Sequence, residues 1–132
     1  MRPGGEDKQN VALVRRHYEA FNRDDLDGIA ATLHPEVELF SGDELGGAGE
    51  RYGGRDDVMK FFAEIKQLVA DNTIEVLSME AKADRVESSV RLRGMLRSSE
   101  LTGSLPALHF FTIRDGLIAR IETYRPDWRR GI

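Results

Sequence analysis

Residues 107–124 read ALHFFTIRDGLIARIETY, two runs of β-favouring residues on either side of Asp115-Gly116. Aspartate followed by glycine between alternating apolar runs is the pattern of a tight β-hairpin. Along the first run Ala107, His109, Phe111 and Ile113 share one face, and a histidine is out of place there. A two-residue turn sets His109 opposite Glu122, whereas a three-residue turn with a bulge sets it opposite Ile121. The second is favoured here, because it keeps Ala107, His109, Phe111, Ala119, Ile121 and Thr123 on one apolar wall and turns Glu122 away.

Upstream of this hairpin, Thr73–Ala81, Arg85–Met95 and Leu101–Ile113 are further β-rich runs, with Leu117–Tyr124 the last. Short connections between them imply antiparallel pairing. The first part of the chain is helical. From Lys8 to Asn22, Val11, Val14, Tyr18 and Phe21 form an apolar stripe with Leu13, His17 and Ala20 on its shoulder. Asp24 or Asp25 can cap a short second helix carrying Leu26, Ile29 and Leu33, which Pro35 ends. Val37–Ser41 reads as a short strand and Gly42–Gly54, rich in glycine and acidic residues, as a flexible loop. Asp56 or Asp57 can cap a third helix whose face holds Val58, Phe61, Phe62, Ile65, Leu68 and Val69. Three helices before a run of strands make an α+β fold with helices covering one sheet face. The opposite face, with Glu87, Arg91, Arg93, Arg120, Glu122 and Tyr124, is polar but built of long side chains, which suits contact with a second copy of the chain.

The whole chain of 132 residues is expected to be one domain, with 1–7 a flexible N-terminus and 125–132 a tail. It has no cysteine, which excludes disulfides, thiolate metal sites and a cysteine nucleophile. A formal charge of −4 argues against phosphate-driven nucleic-acid binding, and the cluster Arg125, Arg129 and Arg130 reads as a solvated terminus. With no N-terminal basic and apolar signal and no run long enough to span a bilayer, the chain reads as cytoplasmic.

Three stretches, RRHYEAFNRDDLDGIAATLHPEVEL (15–39), YGGRDDVMKFFAEI (52–65) and ALHFFTIRDGLIARIETYRPDW (107–128), resemble the SnoaL-like branch of the nuclear-transport-factor-like superfamily, which includes the ketosteroid isomerases. The resemblance implies a strongly curved antiparallel sheet packed against three N-terminal helices as a cone, with an apolar pocket at its wide end, usually in homodimers. It implies function less narrowly, since the superfamily holds isomerases, cyclases, epoxide hydrolases, dehydratases and non-catalytic binding or assembly modules. Carried onto this chain, the isomerase's tyrosine donor falls at His17, its general-base aspartate at Ser41 and its second acidic donor at His109. None matches, and a neutral serine cannot take a substrate proton as a carboxylate does.

Those positions single out the candidates. In an apolar pocket His109 stays neutral, donating from one ring nitrogen and accepting at the other; the alternative is a buried imidazole satisfied by the protein itself. His17 either reaches a pocket beside the core or is a partly exposed surface residue, and His34 before Pro35 reads as a cap or surface residue. Phe21, Leu39, Ser41, Phe62, Val90, Phe111, Ile121, Thr123 and Trp128 are the expected pocket or core lining. Asp43, Glu44 and Glu50 could bring a carboxylate only if their loop folds over. Three scattered histidines make no metal site, and Gly47-Ala48-Gly49 lacks a nucleotide fingerprint. No metal or cofactor is expected. The sequence therefore points to a pocket that binds or transforms a small apolar molecule by cofactor-independent proton transfer, with a non-catalytic binding or assembly module as the alternative.

Overall fold

A computed structural model describes residues 4–42 and 50–125. The elements run α1 (Gly4–Asn22), α2 (Leu26–Ala31), β1 (Leu33–Ser41), β2 (Glu50–Gly53), α3 (Arg55–Leu68), β3 (Val69–Lys82), β4 (Arg85–Leu96), β5 (Thr102–Arg114) and β6 (Leu117–Tyr124). The first helix begins at Gly4, ahead of the expected Lys8. It buries Val14, Tyr18 and Phe21 of the predicted stripe, with Val11 half-buried, and Leu13, His17 and Ala20 of its shoulder. Asp24 turns the chain with a left-handed φ of 57°, and the Asp25 carboxylate then caps α2 by accepting from the Gly28 amide at 2.9 Å.

Three more of the sequence expectations fail at helix ends. Leu33 does not continue α2 but opens β1, and Pro35 sits inside that strand. The proline is tolerated because the β1–β6 register breaks between Leu33 and Glu38 and the β1–β2 ladder starts only at Glu38, so no pairing needs its missing N–H. The third helix is capped not by Asp56 or Asp57 but by Gly54 at φ 88°. Both aspartates lie in the first turn, where the exposed amides of the helix end favour negative charge. Val69, expected on the helix, starts β3.

The six strands form one curved sheet in the order β2-β1-β6-β5-β4-β3. It is antiparallel apart from one pair: β1 runs parallel to β6, which the reading from short connections did not foresee. Part of the presumed Gly42–Gly54 loop is the edge strand β2. Register shifts between Ala70 and Thr73 and between Val76 and Ser78 on β3 mark irregularities of the kind that bend a sheet. The concave face closes on α1 and α3 around a core in which Val14, Val37, Val58, Val86, Val90, Phe111 and Ile118 are fully enclosed.

The hairpin of residues 107–124 differs from the expected register. Asp115 and Gly116 have φ of 55° and 74°, both positive, so the turn is a two-residue one of the mirror-image type that fits strand twist. Arg114 pairs with Leu117 and Ile113 with Ile118, after which the register shifts and Thr112 meets Arg120. Ala119 is the extra residue of that bulge. His109 consequently lies opposite Thr123, not Ile121, and Phe111 opposite Ile121. His109, Phe111, Ile121 and Thr123 still share a face, and Glu122 still points away, because the bulge restores the parity that a two-residue turn alone would have reversed.

Candidate functional site

A cavity of about 510 Å³ lies between α1, α3 and the concave sheet face. Phe21, Phe62, Ile65, Ile74, Leu92 and Ile121 are among the apolar residues of its wall. Leu68 and Leu101, 60% and 65% exposed, also line it and mark its mouth. Against this apolar surface stand fewer polar groups: His17 and Tyr18 on α1, Asn72 on β3, Thr102, Ser104 and His109 on β5, and Thr123 on β6. Arg93 also borders the cavity, but its guanidinium is paired with Glu75 at 2.7 Å.

His17 is held from behind. Its Nδ1 lies 3.1 Å from the Thr32 hydroxyl, and that hydroxyl donates to the Ile29 carbonyl at 2.7 Å. Thr32 has one hydrogen to give and the carbonyl takes it, so its oxygen accepts from His17 Nδ1–H. Burial, with His109 nearby as a lesser cause, lowers the His17 pKa to about 3, so the ring is neutral. A neutral ring protonated at Nδ1 carries a bare lone pair at Nε2. Edge contacts with Phe62 and Phe111, at centroid distances of 5.6 and 5.5 Å, fix the ring plane.

His109 is held by a different chain of contacts. Its Nδ1 is 2.8 Å from the Tyr18 hydroxyl, which is 2.6 Å from Ser88 Oγ. Burial lowers the His109 pKa to about 4 and raises that of Tyr18, so ring and phenol are both neutral. If Tyr18 donated to Ser88, the serine hydrogen would have no acceptor among the described residues. With Ser88 donating to Tyr18 and Tyr18 to His109 Nδ1, the one hydrogen of the network left without a protein acceptor is on the His109 ring, which lines the cavity, rather than on the buried Ser88, which does not. His109 then carries its own proton at Nε2. Neither Nε2 has a partner among the described residues, and neither is among their sealed, unpaired polar atoms, so both open on the cavity.

Of the residues singled out from sequence, His17, His109, Phe21, Leu39, Phe62, Ile121 and Thr123 meet at this cavity. Val90 and Phe111 do not line it; they are fully enclosed core behind the wall. Ser41, half-buried at the end of β1, is not in the wall either. His17 is buried, which removes its reading as a surface residue. His34 is a β1 residue accepting from the Glu36 amide at 3.0 Å, near Asp115 rather than the cavity. Trp128, Asp43 and Glu44 lie outside the described residues, and Glu50 is exposed on β2 and accepts a hydrogen bond from Tyr52. Among the described residues no cluster of three or more histidine and acidic side chains could hold a metal.

Sequence reasoning missed Thr32, Tyr18, Ser88 and Asn72. Tyr18 was visible only as part of an apolar stripe, yet a buried phenol needs a hydrogen-bond partner. Ser88 is the one hydroxyl between Val86 and Val90 on the inward parity of β4, a signal of the same kind. Asn72 enters the wall through the irregular stretch of β3, which no periodicity announces.

Among solved structures, an NTF2-like protein of unknown function from Burkholderia pseudomallei is 23% identical, with a TM-score of 0.80 over 92% of this chain and 94% of that one. TerC, co-crystallised with polyporic acid, is 22% identical with a TM-score of 0.78, covering 93% of this chain and 95% of its own. An LEH-like epoxide hydrolase of M. tuberculosis is 16% identical with a TM-score of 0.74, covering 90% and 84% respectively. At these identities the likeness is one of fold. No curated protein matches the chain in sequence. The model of the SnoaL-like domain matches residues 14–121, most of the chain and the whole span from α1 to the cavity wall of β6, and the protein belongs to that family.

Proposed function

We propose that this chain binds a small, largely apolar molecule in the cavity, with His17 and His109 holding its polar groups, and acts on it by proton transfer that needs no cofactor. The observation that carries the reading is the pairing of two neutral buried imidazoles with a largely apolar wall of ligand size. That TerC, of the same fold, was crystallised with polyporic acid is in keeping with it. The test is binding of a neutral reporter such as Nile red. Saturable fluorescence with one dye per chain, displaced by neutral polycyclic ketones, is expected; linear, undisplaced fluorescence would sink the pocket reading. For catalysis, a His109→Ala variant that turns over a genuine substrate at the wild-type rate would remove that residue from the chemistry.

A non-catalytic binding module is the second reading, favoured by one observation. No hydrogen bond or ion pair joins a carboxylate to either cavity histidine among the described residues, so neither imidazole has the acidic partner that would raise its basicity. The reading also includes a homodimer formed through the outer sheet face, where Glu87, Arg91, Arg120 and Glu122 are half-buried side chains, and a cytoplasmic location. Light scattering giving the mass of one chain at high concentration would remove the dimer. No helix among the described residues is long and apolar enough to cross a membrane.

A further inference from the structure

We propose that the free end of the β4–β5 hairpin, residues 95–102, is a flap that swings on a hinge crossing three strands and closes over the mouth of the cavity. The hinge is independent of the pocket reading above; what the flap closes on rests on that reading. Opposite Gly94 of β4, the β3 ladder skips from Ala70 to Thr73, so that Asp71, at a left-handed φ of 52°, and Asn72 together face one residue. On its other side Gly94 pairs with Gly103 of β5. A bulge and two glycines therefore lie side by side across the sheet, and no pair of side chains holds the angle between the two parts of each strand.

The two sides of this line are held differently. Toward the core, Lys66 donates to the Asn72 carbonyl at 2.7 Å and pairs with Asp24 at 2.7 Å. The Asn22 side chain accepts from the Ile74 N–H at 2.7 Å and donates to its carbonyl at 2.9 Å, and β4 buries Val86, Ser88 and Val90 in turn. Past the line, no residue from Met95 to Ser104 is buried. Strand β6 ends at Tyr124 opposite Leu108, so among the described residues the flap has strand partners on one side only, where Leu96 and Met95 meet Val69 and Ala70. One backbone bond, from the Arg97 N–H to the Leu68 carbonyl at 3.0 Å, ties its tip to α3. Helix α3 passes into β3 at Val69 without a linker, and that junction is the pivot on the helix side. A segment held by so few buried contacts opens and closes at far less cost than global unfolding.

Gly103 argues for motion rather than for packing. Its φ is not left-handed, and a Cβ there would meet no atom within 4 Å. The resting structure therefore accepts a side chain, and what glycine supplies is backbone freedom. Leu96 and Leu101, 45% and 65% exposed, lie on the flap and also line the cavity. Swinging the flap toward Leu68 takes their apolar surface out of water and lays it on the contents of the cavity.

The experiment uses the full chain. It has no cysteine, so nitroxide labels on Ser99→Cys at the tip of the flap and Glu19→Cys on the exposed side of α1 report a single distance, read by double electron–electron resonance. The expected result for the free protein is two populations, which bound Nile red collapses to the shorter. Gly103→Val should not lower the urea midpoint, yet it should remove the shorter population and release the dye about fivefold faster with association little changed. Gly103→Ala should act in the same direction to a smaller degree, and it replaces the valine variant if that chain does not fold. A single distance that bound dye leaves unaltered, or a distribution that substitution of Gly103 leaves unaltered, overturns the flap while the pocket stands. Two populations that Gly103→Val collapses, in a chain that binds no dye, uphold the hinge and remove the pocket reading.

Discussion

Replacing Tyr18 by phenylalanine removes a single oxygen and strands two polar atoms, Ser88 Oγ and His109 Nδ1, in a buried site. The expected loss of stability is about 1–3 kcal/mol, and adding Ser88→Ala should restore part of it by removing one of the stranded groups; urea midpoints measure both. The two histidines themselves make stability depend on pH. In the unfolded chain each titrates at its ordinary 6.5, whereas in the native state burial lowers His17 to about 3 and His109 to about 4. Below pH 6.5 the unfolded state therefore binds protons that the native state refuses, and stability falls as pH falls. From pH 7 to pH 5 each histidine should cost about 2 kcal/mol. Urea melts of wild type and of His17→Gln and His109→Gln read this as a slope that halves in each single variant. A flat wild-type profile over that range would mean that both rings are charged when folded, and a half slope that one of them is. Of this chemistry the positions of the two rings were legible in the sequence, His109 from its place in an alternating strand and His17 from the shoulder of a helical stripe and the family resemblance. The tautomers depend on Thr32 and Ser88, which are 15 and 70 residues from the side chains they reach, and no local pattern reports a contact at that separation.

The elements were readable where period and punctuation agree. Strand β6 has the expected bounds, and α3 and β4 come within a residue or two, because an amphipathic face or an alternating run ends at a turn. What was not readable is what two elements decide together. The parallel β1–β6 pair joins segments far apart in sequence, and β2 is a strand only because β1 offers it an edge. The bulge at Ala119 likewise reflects the fit of two strands on one core. Gly94 on β4 is a further case. A Cβ there would run into Val69 Cγ1 and come within 3.3 Å of the Ala70 carbonyl, where β3 is irregular beside the cavity. The expected cost of Gly94→Ala is about 1–3 kcal/mol from overpacking. Val69→Ala removes the first of the colliding atoms, so the double variant should recover more than half of the loss in urea denaturation. If instead the two substitutions cost additively, β3 does not depend on glycine for its approach to β4.

At the scale of the molecule, the fold divides its concave face into a filled end and an open one. Around Val37, Val86, Phe111 and Ile118 the sheet and helices meet side chain to side chain, whereas toward Leu68, Leu96 and Leu101 they part to leave the cavity. An apolar space of about 510 Å³ that forgoes close packing costs stability that a tightly packed core would have. Ligand and side chain are then interchangeable ways to recover it, and Leu92, which lines the cavity on β4, can be used to show this. Leu92→Trp places added apolar volume in the open end without touching the histidine networks. Its urea midpoint should equal or exceed that of wild type, since the new ring displaces empty space rather than neighbours. A neutral polycyclic ligand at a hundred times its dissociation constant should stabilise wild type by about 2.7 kcal/mol and Leu92→Trp by far less, because both compete for one volume. Ligand stabilisation that survives undiminished in a folded Leu92→Trp protein would place the ligand elsewhere and leave the cavity without its proposed use.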